Sequence, residues 1–268
     1  MSMLQKTIIA FFGLLTITGF VTDKPERTIV HNSFGTGEHI EYRVHYGIFN
    51  AAEAIVDVDD KLQSVNNRPC YRVDVWGKTT GAFDLITRVR DNWRSFIDTT
   101  AILPQKFYQK KQEGNYRKEE QYLFDHQDNT VRSAELNEPN AEKYEMKVPD
   151  NVQDVVSGYY FLRTIDFNRY RAGDVISVKA FFDRQIYDMK MVFKGKEVLK
   201  TKFGKINVVK IKPIVPPNKF FDGDEPISIW VTDDQNKVPV KVEIDLAIGS
   251  LDVDLRSYSG LKTEPKWY

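Results

Sequence analysis

The chain has 268 residues, and Lys plus Arg and Asp plus Glu each number 38, so its formal net charge is zero. The charges are interspersed rather than striped, which supplies no phosphate-neutralising surface and argues against a nucleic-acid partner. A single cysteine rules out an intramolecular disulfide, and the length suffices to bury a core without such staples.

In chain order, Lys6 and the apolar run 7–21 read as a secretory signal peptide over residues 1–21. The run is short for a bilayer span, and no later stretch has about eighteen or more consecutive apolar residues, so no transmembrane span is expected in the mature chain. Residues 22–36 are polar and aperiodic and read as a leader, with the folded domain expected over 37–258 and a tail over 259–268. Ile40, Tyr42, Val44 and Tyr46 then alternate with His39, Glu41, Arg43 and His45, the period of a half-buried strand. The same alternation recurs at 54–58, 71–75, 88–98, 105–111 and 116–124, and less strongly at 130–136 and 143–148, giving a first half of about 37–148.

Val152, Val155, Val156, Tyr159, Leu162 and Ile165 break that rule. Their three- and four-residue spacing predicts one amphipathic helix over about 151–168, capped by Asn151 and closed by Gly173. Strands resume with Tyr187, Met189, Met191 and Phe193, followed by an expected turn at 195–197. Further strands are expected at 208–215 and 227–232, and a last hairpin runs from Val238 to Leu255 around Gly249-Ser250. The second half is thus about 174–258. The expected fold class is mainly β: a curved antiparallel sheet or half-barrel of two pseudo-repeated halves with one central amphipathic helix.

The repeat rests on one pattern used twice. Residues 97–107 (IDTTAILPQKF) and 232–242 (TDDQNKVPVKV) both place an Asp, a polar turn, an aliphatic residue, Pro, one residue and Lys after an aromatic-bearing run. Pro104 and Pro239 each fall at a strand start, where a missing N–H is tolerated.

These segments, with Gly37–Tyr42, Asp91–Asp98, Tyr159–Arg163 and Thr201–Lys205, resemble the exported bacterial family known as domain of unknown function 3108, over about residues 37–258. That resemblance implies export to the periplasm or the outer side of a Gram-negative envelope, and it implies no activity, cofactor or catalytic residue. The Trp–Asp–turn–Pro–Lys pattern is also similar, at the level of fold, to the hairpin of LolA/LolB-type lipoprotein carriers, half-barrels that hold acyl chains under a helical lid.

No phosphate loop, serine elbow or metalloprotease motif is present. Asp222-Gly223-Asp224-Glu225 lacks the spaced ligands of a calcium loop, and His39 and His45 lie too far apart on one strand to share a metal. Cys70 reads as a small core residue. No catalytic, cofactor or metal site is therefore expected. Asp91, Asp154 and Arg163 are read as structural polar residues, with a buried Arg–Asp pair tying helix to sheet. Tyr42, Tyr46, Tyr187, Met189, Met191 and Phe193 are candidates for lining an apolar groove. The expected function is non-enzymatic binding of a lipid or other apolar or amphipathic ligand in the sheet's concavity. The alternative is an interaction module whose faces or edges contact envelope proteins or glycans.

Overall fold

The structure, a computed structural model, describes residues 27–136, 144–216 and 225–268; the signal-peptide reading of 1–21 and most of the acidic 222–225 segment lie outside these. The strands are β1 (His39–Tyr46), β2 (Phe49–Val58), β3 (Gln63–Val65), β4 (Arg68–Thr79), β5 (Arg90–Asp98), β6 (Pro104–Glu113), β7 (Tyr116–Asp125), β8 (Thr130–Glu135) and β9 (Tyr144–Lys147), then β10 (Val175–Phe182), β11 (Gln185–Thr201), β12 (Gly204–Pro213), β13 (Ile227–Thr232), β14 (Pro239–Asp245) and β15 (Ser250–Ser259). A short helix, α1 (Gly81–Ile86), follows β4, and α2 (Val155–Arg163) stands between β9 and β10.

All fifteen strands form one antiparallel sheet. Its order is β10 to β15 in sequence, then β1, β2 and β4 to β9, with β3 paired to β4 off this path. Each half is a meander, and the halves join where β1 pairs with β15. The sheet curls without closing. Phe181 of β10 meets Tyr122 and Phe124 of β7 edge-on, at ring separations of 4.9 and 5.8 Å. The free edge of β10 is covered by residues before α2, since the Gln153 amide donates to Lys179 O and the Phe181 amide donates to Gln153 O. Covering an edge in this way keeps it from templating another chain.

The two Pro-bearing turns are structural equivalents. Ile97 pairs with Pro104 and Val231 pairs with Pro239, each with a register shift just before the turn. The residue two before each proline, Ile102 or Lys237, takes a left-handed backbone (φ 50° and 48°). In both, an Asp side chain organises the turn. Asp98 accepts from the Thr100 and Ala101 amides, and Asp234 accepts from the Asn236 and Lys237 amides.

Helix α2 is shorter than its apolar periodicity predicts. Asp154, not Asn151, is the N-cap: its carboxylate accepts from the Val156 and Ser157 amides while the Ser157 hydroxyl accepts from the Asp154 amide. Asn151 instead has a left-handed backbone. The helix ends at Arg163, and Phe167–Arg169 form a separate 3₁₀ turn capped by Asp166. Gly173 serves the turn into β10 rather than the helix end. Three further expectations are corrected. Gly195-Lys196-Glu197 do not turn; β11 runs through them with a bulge between Phe193 and Gly195. The described part of the leader packs into the core, with Phe34 buried against Tyr71 and Tyr160. The tail packs as well: the Tyr268 amide donates to Lys205 O, and Trp267 stacks on Phe203.

Candidate functional site

Between α2 and the concave face of the second half lies a cavity of about 930 Å³, a volume typical of small-molecule sites. Helix α2 contributes Val155, Gly158, Tyr159 and Leu162. Strand β10 contributes Val178, Ala180 and Phe182, and β11 contributes Tyr187, Met189 and Met191. Ile211, Ile229, Val231, Val242, Val253 and Tyr42 complete the apolar wall. These side chains converge because alternation puts each of them on the inner face of its strand.

The polar groups reaching this space are few, and most are engaged within the protein. The Tyr42 and Tyr159 hydroxyls bond each other at 3.1 Å. Asp154, the helix cap, also accepts from the Ser95 hydroxyl at 2.7 Å. Burial pushes its carboxyl up to about 6, against the pull of its amide and hydroxyl donors. Lys237 reaches the cavity from the second Pro-bearing turn and makes no ion pair among the described residues. Burial lowers its pKa.

Arg163 is fully buried at the base of the cavity, and its partner is Glu38 rather than an aspartate. Its two terminal nitrogens donate to the Glu38 carboxylate at 2.5 and 2.7 Å, and it also donates to the carbonyls of Asn236 and Ser33, each at 2.9 Å. The Tyr160 hydroxyl donates to the same carboxylate at 2.9 Å. Burial opposes the charge on Arg163, and Glu38 more than offsets it, holding the guanidinium above its ordinary value. This cluster joins the leader, α2 and the second turn, while Asn236 adds the tail through Thr263. Asp91 stands apart: its carboxylate accepts from the Gln112 amide.

Of the six groove candidates, Tyr42, Tyr187, Met189 and Met191 line the cavity. Tyr46 and Phe193 do not. Tyr46 donates to Ile248 O at the end of the sheet, and Phe193 packs between Phe167 and Tyr170. Sequence reasoning missed Val178, Ala180, Phe182 and Lys237. The first three share a period-two face that could have been read; Lys237 is marked only by its place in the repeated turn. Cys70 is buried, and burial pushes its thiol up to about 12, so it is neither thiolate nor nucleophile near neutrality. Among the described residues no group of three or more His, Cys, Asp or Glu side chains could hold a metal. No helix among them is long and apolar enough to cross a membrane.

The family model for "Protein of unknown function (DUF3108)" matches residues 41–256. The chain belongs to this family. No functionally curated protein matches it. Among solved structures it is similar to a "beta-barrel-like protein of domain of unknown function DUF1849" from Brucella abortus, with 12% identity, 88% of this chain and 99% of that chain covered, and a TM-score of 0.54. A putative lipoprotein from Parabacteroides distasonis also matches, at 12% identity and a TM-score of 0.29, over 88% of this chain and 100% of that one. The first likeness shows a barrel-like fold in common.

Proposed function

We propose that this DUF3108 chain is an exported, non-enzymatic envelope protein that holds an apolar or amphipathic ligand between α2 and the second half of the sheet. The observation that carries this reading is the cavity of about 930 Å³ walled by side chains from α2 and six strands of the second half and β1. Its hydroxyls, its carboxylate and its guanidinium are already hydrogen-bonded within the protein, and apart from these and Lys237 the lining is apolar. At roughly 0.8 kcal/mol per buried CH₂, about a dozen methylenes supply about 10 kcal/mol before ordering costs, enough for micromolar binding.

The test is binding of a fluorescent fatty acid in vesicle-free solution, alongside solvent extraction of the protein recovered from cells. Ala180→Trp, which places a large ring in the cavity, is expected to weaken probe binding at least tenfold with the fold intact. Absence of both extractable lipid and probe binding would discard the reading.

A further inference from the structure

One end of the sheet carries large apolar side chains in open solvent. Ile48 and Leu85 are each 90% exposed, Ile248 80%, Ile86 79% and Phe49 62%. They come from three separate connections: the β1–β2 turn, α1, and the β14–β15 turn. Tyr46 draws the three together. Its ring lies 6.0 Å from that of Phe83 in α1, its hydroxyl donates to Ile248 O at 2.9 Å, and it pairs directly with Phe49 across the hairpin. The Gly47 amide donates to Ser250 O and the Thr80 amide to Ala51 O, which locks the connections side by side. No residue of α1 is buried, so α1 serves no core.

The end has two further properties. Residues 46–50 (YGIFN) and 246–250 (LAIGS) contain no charge, and the Asp84 carboxylate in α1 is paired with Arg90. The apolar surface is also continuous with the cavity. Val242 and Val253, which line it, pair with each other, and the next inward-facing pair along the same strands is Ile244 and Leu251, with Leu251 opposite Tyr46. Ile244, Leu251, Tyr46 and Leu246 are all half-buried. The described row Ile244, Leu251 and Tyr46 thus leads along this face from the end of the sheet to the cavity wall at Val242 and Val253.

We propose that this end is a membrane-docking surface, in which Ile48, Phe49, Leu85, Ile86 and Ile248 enter the hydrocarbon boundary of a lipid bilayer. Exposed apolar patches mark interaction sites, and the uncharged β1–β2 and β14–β15 tips, with α1 beside them and a belt tyrosine between, fit a planar apolar boundary. The attraction is apolar, since the loops supply no cationic cluster.

The experiment is flotation of the exported chain, as recovered from cells, with phosphatidylcholine vesicles at low salt and at 0.5 M salt. The unaltered protein is expected to float at both. Replacing Ile48, Phe49, Leu85, Ile86 and Ile248 together by Ser is expected to weaken flotation at least tenfold, at an unchanged melting temperature. Val198→Ser, exposed on β11 away from this end, leaves it unchanged. No flotation of the unaltered protein, equal flotation of the five-site variant, or loss at high salt overturns the proposal. So does a dimer that the five-site variant abolishes in a protein that ignores vesicles. Probe binding in vesicle-free solution reads the cavity separately: the five-site variant keeps it, and Ala180→Trp loses it while still floating.

Discussion

At the scale of residues, the Glu38–Arg163 pair has no solvent to fall back on. Truncating Arg163 to Ala leaves a buried carboxylate facing only a tyrosine hydroxyl, and breaking such a pair costs about 3–5 kcal/mol. Urea unfolding of Arg163→Ala measures it; a loss under about 1 kcal/mol would show that water reaches Glu38. The arginine expected to pair with an aspartate is buried against Glu38 instead, a partner the sequence left illegible. Glu38 lies 125 residues away in the chain and outside any periodic strand face. Asp154 gives a pH signature. Its folded value, about 6, lies above the roughly 3.9 of an unfolded aspartate, so the folded state takes up the proton first. Its contribution therefore grows as pH falls from about 7 toward 4 and is lost as pH rises through 6, with a span of about 3 kcal/mol. Asp154→Asn keeps a cap oxygen and removes the charge. Its stability, compared with the parent across that range, should be flat where the parent's declines, and higher at pH 7. Parallel curves would mean that the carboxyl titrates as it does in the unfolded chain.

At the scale of elements, the strands were legible because most have one wet face and one dry face, and a period of two survives single bulges. The bulge at Gly195 was not, because Lys-Gly-Lys in a strand that is mostly exposed has the composition of a turn. Helix α2 was legible in existence and not in extent. Val152 and Ile165 fall on its apolar stripe but pack in extended and turn segments that also face the core, so burial, not helicity, sets their spacing. The twin turns show what sequence repetition predicts and what it leaves open. Both place an Asp and a left-handed residue before a strand-starting proline, yet Asp98 is buried and ion-paired with Arg68 while Asp234 answers only to its own turn. Asp98→Ala is therefore expected to cost about 3 kcal/mol or more, and Asp234→Ala about 1 kcal/mol. Equal losses in thermal unfolding would refute the distinction.

At the scale of the whole molecule, the curl of the sheet and its mainly β character followed from a dozen one-sided strands with a single helix to cover them. The cavity's position did not follow, because depth along a face is set by curvature. Tyr46 and Met191 have the same inward parity, yet one knits the end of the sheet and the other lines the pocket. The tail's role was equally hidden. Trp267 donates to the Tyr258 hydroxyl at 2.7 Å, and the Lys205 amide donates to Tyr268 O at 2.8 Å. Deleting residues 264–268 is thus expected to cost about 2–4 kcal/mol through lost aromatic burial and unpaired backbone, measurable as a lower urea midpoint. An unchanged midpoint would show that the tail rests on the fold without stabilising it.

The pairing of β1 with β15 sets a schedule as well as a shape. Thirteen strands separate β1 from β15 in the chain, and the row of amides and carbonyls that β1 turns toward β15 stays unsatisfied until the chain has been made through Ser259. A polypeptide made N-terminus first carries that open edge while β2 to β14 are completed. It cannot join the two halves of its sheet early, and it offers a binding ledge to any chaperone that recognises an unpaired strand.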